Sequence, residues 1–328
     1  MKILFKIFLL LIVISSTAFS HNTKKLDKII KKYKNLYQTS LIIVAIYDND
    51  KNKLVYVSDK DLFTNYNYVP SSIIKPIVTS IALKNNVVKK EDKFFLYNDG
   101  IVDLDGYYPK SRFKIDDMFI KDTKEYKKQY FNYEEILLNS SNIGMAQIAQ
   151  KIETKDYIQG LKDFGFLSKQ KTIDLNENVP YVDKYISQGF NGIKAAFSYG
   201  QLLVASFDEI LYAYSQFNTP NPIAINKSIQ NEIKNIFIEK SKDQLVEIEN
   251  KNVQAGIYTA TSQIVVKRES LDKYIASTFG FVNYQNKRYT IGAIIIDPFV
   301  QDEFQICKYP SYSSTILFTE IVNKLTKK

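Results

Sequence analysis

Val69-Pro70-Ser71-Ser72-Ile73-Ile74-Lys75-Pro76 is the stretch on which the reading of this chain turns. It opens an apolar helical run from Ser72 to Leu83, in which Ile73, Ile74, Ile77, Ile81 and Ala82 supply one side. Pro76 falls in the first turn, where its missing N–H removes no helical bond. Ser72 and Lys75 stand one helical turn apart on the same face. If burial lowers its pKa, the lysine amine can take the hydroxyl proton, and the free N–H groups of a helix N-terminus can stabilise a developing oxyanion. The spacing alone is weak evidence, since it recurs at Ser111/Lys114, Ser168/Lys171 and Ser270/Lys273. A capping serine beside a solvated lysine accounts for the pair equally well.

The rest of the composition narrows the chemistry. There is one histidine, His21, and one cysteine, Cys307. No Ser-His-Asp triad, Cys-His dyad or His-rich metal site can be built from these, so a serine hydrolase here must use lysine as its base. Neither a metal nor a cofactor is expected.

Before the Ser72 stretch, Leu26, Ile29, Ile30, Tyr33 and Leu36 mark one face of a helix. Leu41 to Tyr47 and Leu54 to Val57, separated by Asp48 to Lys53, predict a β-hairpin. Beyond it, residues 85–218 read as helices and loops, with helices from about Asn142 and from about Ser206 to Gln216. After Pro222 the chain is expected to return to strands: Val253 to Val266, Ile275 to Val282 and Arg288 to Ile296, with Asn283 to Asn286 as the last turn. Ile316, Leu317, Phe318, Ile321, Val322 and Leu325 form the face of a closing helix. Strands at both ends with helices between them imply one sheet assembled from distant segments.

With 328 residues, 45% hydrophobic and 24% charged, the chain can bury a sizeable core. Lys2 and Lys6, the apolar run Ile7 to Ile14 and the small residues to Ser20 have the order of a secretory signal peptide. That run is much shorter than the ~20 residues of a spanning helix, which favours a cleaved signal over an inner-membrane anchor. A periplasmic or secreted location follows. The chain carries a net charge of +9, with Lys24, Lys25, Lys28, Lys31, Lys32 and Lys34 clustered after the signal. Export argues against nucleic acid as the partner. An anionic membrane surface, a cell-wall polymer or cell-wall synthesis proteins are the alternatives to a merely solvated helix.

The stretch at Ser72 resembles the P-G-S-T-F-K-P block of penicillin-binding transpeptidases, with Ser71 in place of the glycine. The resemblance continues in order. Ile120-Lys121-Asp122 is similar to the Asp-containing segment before the second motif, and Leu138 to Met145 resembles the S-S-N-I block. Phe164-Gly165-Phe166 with Lys171 to Leu175 looks like a non-catalytic block. Phe197 to Gln201 with Ala213-Tyr214 is similar to the S-F-G-Q…A-Y segment of the class B division and elongation enzymes. Ser277 to Phe281 and Ile294 to Pro298 look like closing strands.

This likeness implies an α+β, β-lactamase/transpeptidase-like fold: an antiparallel sheet flanked by terminal helices, with an inserted all-helical region at about 85–218. It divides the chain into a signal peptide (1–20), a basic segment (21–38) and a transpeptidase domain (39–328). By position, Ser72 is implied as nucleophile, Lys75 as general base, Ser140 as proton relay and Asn142 as the residue that holds the substrate amide. The substrate implied is the peptidoglycan stem peptide, and β-lactam antibiotics should acylate the same serine. The pedestal domain that usually precedes such a domain is not recognised ahead of it, which implies an accessory role.

The third motif departs from the family's A-G-K-T-G-T-A-Q. Gly256-Ile257-Tyr258-Thr259-Ala260-Thr261-Ser262-Gln263 puts Tyr258 in place of the lysine and Ala260 in place of the glycine. A tyrosine hydroxyl offers a hydrogen bond but no charge. Tyr258, Thr259 and Thr261 are expected to line the substrate side, with Thr259 on the carboxylate and the Thr261 N–H in the oxyanion hole. Lysines elsewhere, such as Lys251 or Lys267, are candidates to restore the charge. Two other readings stand beside an acyl-transfer enzyme. One is a catalytically weak scaffold that binds cell-wall material or a morphogenesis partner. The other is an oxacillinase-like β-lactamase, against which stands Ser140-Ser141-Asn142 where those enzymes resemble Tyr-Gly-Asn.

Overall fold

The structure is a computed structural model that describes residues 23–39, 41–96, 112–116, 118–123, 126, 128–166, 191–244, 247–266, 269–298 and 311–327. The signal-like leader, the Lys171 segment, Lys267 and Cys307 lie outside them. Helix α1 covers 23–36 and buries Leu26, Ile29, Ile30 and Tyr33, as their spacing predicts. The hairpin follows as β1 (Ile42–Asp48) and β2 (Lys53–Val57). Then come α2 (Lys60–Asn65), capped by the Asp59 carboxylate, β3 (Asn67–Tyr68), a 3-10 turn (Ser71–Ile74) and α3 (Lys75–Lys84).

The inserted region contains β4 (Phe94–Phe95), β5 (Arg112–Ile115), β6 (Met118–Lys121), β7 (Tyr130–Phe131), α4 (Tyr133–Asn139), α5 (Asn142–Lys151), α6 (Thr154–Asp163), α7 (Asn191–Ser198), β8 (Ala205–Ser206) and α8 (Phe207–Ser215). It is therefore not all-helical. β4 pairs with β7, β5 with β6, and β8 with β3. Strands of two to four residues are too short to leave an alternating pattern in a sequence.

A second correction falls after Pro222. A helix, α9 (Lys227–Asp243), precedes the strands, its first turn capped by Asn226, which accepts from the Ile229 N–H at 3.0 Å. Its buried stripe runs through Ile229, Gln230, Ile233, Ile236, Phe237 and Lys240. Two polar residues on that stripe blur the apolar periodicity.

β9 (Gln254–Val266), β10 (Glu269–Tyr284), β11 (Lys287–Ile296) and α10 (Ser311–Thr326) complete the chain. The sheet order is β2-β1-β11-β10-β9, antiparallel throughout, so both parts of the chain interleave and β9 forms one edge. The β10–β11 turn is tighter than expected. Tyr284 and Lys287 still pair, leaving only Gln285 and Asn286, both with left-handed φ (50° and 60°), as a two-residue hairpin requires.

Alternation along β1 builds two cores. Ile43 and Ala45 face the inserted helices, and Ile42, Val44 and Ile46 face α1 and α10. Leu317, Phe318, Ile321 and Val322 of α10 are all fully buried against that second face, each contributing about 2 kcal/mol.

Candidate active site

The turn that carries Ser72 is fixed from three sides. The Ser262 hydroxyl of β9 donates to the Val69 carbonyl at 2.6 Å, the Tyr214 hydroxyl of α8 donates to the Ile73 carbonyl at 2.9 Å, and the Ser71 N–H donates to the Gly200 carbonyl at 3.3 Å. Ser71 has a φ of 52°, a left-handed conformation, at the place where the related block carries glycine. Gly200 is needed here on two counts: its φ is +84°, and a Cβ would lie 2.0 Å from the Ser71 carbonyl oxygen. With Ile73 and Ile74 buried beneath it, the turn presents Ser72 at the start of α3.

Lys75, the first residue of α3, is 0% exposed. Its Nζ donates to the Ser140 carbonyl at 2.5 Å, the Ser140 Oγ at 3.1 Å and the Asn142 Oδ1 at 2.7 Å. The Ser140 Oγ in turn donates to the Ser72 Oγ at 2.9 Å. Ser72, Lys75, Ser140 and Asn142, chosen from sequence, thus meet in one cluster. Among the hydrogen bonds it contains, the path from Ser72 to Lys75 passes through Ser140.

The junction of two helices sets this geometry. α4 ends at Ser140, which takes a left-handed φ of 59°, and Ser141 starts α5 by accepting from the Gly144 N–H at 2.9 Å. The buried Asp122 carboxylate completes the cap, accepting from the Ser141 Oγ at 2.7 Å, the Ile143 N–H at 3.2 Å and the Asn142 N–H. Sequence reading placed Asp122 only in a segment before the motif; its part in orienting Asn142 is a long-range contact that spacing does not reveal. Burial pushes the Lys75 pKa down to about 7, opposed by the negative charge of Asp122 and reinforced by the positive charge of Lys240. Burial raises the Asp122 carboxyl, and its bonds to Ser141 and the charge of Lys75 oppose that rise.

Tyr258, expected on the substrate side, has its side chain buried. It is 0% exposed, its ring packs on Phe237 of α9, and its hydroxyl donates to the Leu137 carbonyl at 2.9 Å. Burial raises its pKa and holds the phenol protonated, with the Ser140 side chain opposing that rise. The β pleat turns Tyr258 and Ala260 toward the inserted helices.

Thr259 and Thr261 lie on the other face of this edge strand, outside the Ser72 cluster. Thr259 is in register with Thr278, which shares a hydrogen bond with Ser314 of α10, and its own hydroxyl is 3.5 Å from the Gln244 side-chain oxygen. Thr261 is in register with Ala276 of the second core. Gly256 lets α9 press on β9, where a Cβ would come within 2.8 Å of the Phe237 Cβ.

Among the described residues, a lysine that sequence reasoning missed lies against the altered motif. Lys251 sits in an exposed turn, whereas Lys240 of α9 is 6% exposed, with its Nζ 4.6 Å from the centroid of the Tyr258 ring. It also donates to the carbonyls of Leu137 (3.1 Å) and Leu138 (2.8 Å). The only sequence signal was a lysine on the apolar stripe of a helix.

The family model for the penicillin binding protein transpeptidase domain matches residues 39–322. The chain belongs to this family. Among curated relatives, this transpeptidase domain is 26% identical over 218 residues to a peptidoglycan D,D-transpeptidase FtsI homolog from Mesostigma viride, covering 61% of this chain and 34% of that one. It is 24% identical over 273 residues to peptidoglycan D,D-transpeptidase FtsI of Buchnera aphidicola, covering 75% and 44%. The chain therefore spans between a third and a half of the curated relatives it matches. In fold it is similar to the apo transpeptidase domain of Burkholderia pseudomallei penicillin-binding protein 3, with a TM-score of 0.73 at 16% identity and 93% of each chain covered. A peptidoglycan glycosyltransferase from Burkholderia ambifaria gives a TM-score of 0.70 at 16% identity, covering 93% of this chain and 95% of that one. The α+β architecture read from the sequence is that of the penicillin-binding transpeptidase domains.

Proposed function

We propose that this transpeptidase domain is a serine acyl-transfer enzyme of the D,D-transpeptidase type, acting on D-Ala-D-Ala-terminated peptidoglycan stem peptides outside the cytoplasm. The observation that carries the reading is the unbroken hydrogen-bonded path from Ser72 through Ser140 to a buried Lys75. With its pKa near 7, Lys75 is substantially neutral at neutral pH and can receive a proton. With Lys75 a neutral amine the chain reverses, Ser72 donating to Ser140 and Ser140 to Lys75; as the Ser72 Oγ bonds to the penultimate carbonyl carbon, its proton passes to the Ser140 Oγ and the Ser140 proton passes to Lys75. The N–H groups of Ser72 and Thr261 hold the oxyanion. Collapse of the tetrahedral intermediate breaks the peptide C–N bond, and the leaving D-Ala amine takes the proton back along the same path. An acceptor amine or water then resolves the acyl-enzyme. Asn142 donates one amide hydrogen to the Lys121 carbonyl at 3.0 Å and has a second for a substrate carbonyl.

β-Lactams acylate Ser72 in this reading, and the leader directs export. The lysine-rich α1 meets an anionic surface or other wall-synthesis proteins.

One observation favours a second reading, a slow enzyme used chiefly as a binding scaffold. The hydroxyl of Tyr258 is spent on the Leu137 carbonyl, so β9 offers the substrate no positive charge of its own. Release of D-Ala from a D-Ala-D-Ala pentapeptide by the purified protein separates the two. The enzyme reading expects release that Ser72→Ala abolishes; binding of the peptide without release supports the scaffold.

A further inference from the structure

We infer that Lys240 is a positioning residue for the Ser72–Ser140–Lys75 path: its ammonium, set between the Tyr258 ring and the last carbonyls of α4, supplies from a helix the positive charge that β9 lacks. This inference rests on the acyl-transfer reading above. A lysine that is 6% exposed carries a large desolvation penalty, and the contacts that offset it include the carbonyls of Leu137 and Leu138 and the face of Tyr258 at 4.6 Å. The Leu137 carbonyl is the meeting point. It accepts from Lys240, from the Tyr258 hydroxyl at 2.9 Å and from the Ser140 N–H at 3.2 Å, so the charge is coupled to the residue that bridges nucleophile and base.

A lysine can also do no more than cap a helix, and Lys194 does that where it donates to the Ile152 carbonyl at the end of α5 at 3.0 Å. Lys240 differs in two respects. It covers an aromatic ring standing at the position of the family's motif lysine, and its charge acts on Lys75. Among the described residues, the charged groups that act on Lys75 are Asp122, which favours the ammonium, and Lys240, which favours the amine. Removing the Lys240 charge leaves burial alone to oppose Asp122. Lys75 then holds its proton to higher pH.

The test is a lysine 13Cε NMR titration of Lys75 in the wild type, Lys240→Gln, Lys240→Met and Lys240→Arg, run beside the pH profile of acylation by a fluorescent penicillin. Gln keeps donors for the α4 carbonyls and Arg keeps the charge. The Gln and Met variants are expected to raise the Lys75 midpoint by about one pH unit and to move the acidic limb of acylation with it. Arg should leave both near wild type. A folded Lys240→Gln protein with an unchanged Lys75 midpoint overturns the inference, even where its rate or stability falls, because a structural cap alone predicts that pattern. Absence of wild-type acylation counts against the enzyme reading instead, and the NMR titration still decides the role of Lys240.

Discussion

The Ser140 hydroxyl stands 2.9 Å from the Ser72 hydroxyl and 3.1 Å from the Lys75 ammonium, and so bridges the two. Ser140→Ala removes the bridge while leaving Lys75 bonded to the residue-140 carbonyl and to Asn142. Acylation by a labelled penicillin should fall about 10²- to 10³-fold with the circular dichroism spectrum retained. An unchanged rate would show that the proton moves directly between Ser72 and Lys75.

The buried Lys75 also ties stability to pH. Its folded pKa, about 7, lies below the ordinary 10.5, so between those values the unfolded chain binds a proton that the folded chain does not. The penalty for burying its charge is fully present below pH 7 and fades as pH rises toward 10.5. Urea denaturation of the wild type and Lys75→Met at pH 6 and pH 9 should show the wild type gaining a few kcal/mol relative to the variant at the higher pH. A constant difference would place the Lys75 pKa near its ordinary value.

At Gly200, a side chain meets both an unfavourable φ and the Ser71 backbone. Gly200→Ala should destabilise the fold by about 2 kcal/mol or more and slow acylation further by displacing the nucleophile turn. Thermal melts together with acylation rates check both effects.

The third motif gives a less obvious expectation. Tyr258→Lys with Ala260→Gly puts the family's lysine and glycine back into β9. The structure places the Lys240 ammonium 4.6 Å from the ring that a new lysine would replace, so two buried like charges would compete. Tyr258→Lys with Ala260→Gly is therefore expected to lower the melting temperature without raising acylation, and adding Lys240→Gln should raise acylation above that double variant. Full gain from the double variant alone would mean that Lys240 moves aside freely.

That contrast marks how far the sequence could be read. The hairpin, α3, α5, α8, α10 and the three long strands were legible because each buries a periodic apolar face, and Ser72, Lys75, Ser140 and Asn142 were legible because ordered blocks surround them. Helix α9 was not, since Gln230 and Lys240 interrupt its buried stripe. Nor was the direction of Tyr258. Alternation assigns it a face of β9, but which face lies behind Ser140 depends on how distant segments assemble. The capping role of Asp122 and the charge supplied by Lys240 likewise arise from contacts across α4 and α5 that local pattern does not encode.

The central claim is that Ser72 forms an acyl-enzyme, and intact-protein mass spectrometry after incubation with benzylpenicillin tests it most directly. The account predicts one adduct of the drug's mass, mapping to the peptide that contains Ser72 and missing from Ser72→Ala. A folded wild-type protein that stays unmodified at saturating drug, or an adduct on another residue, would contradict it.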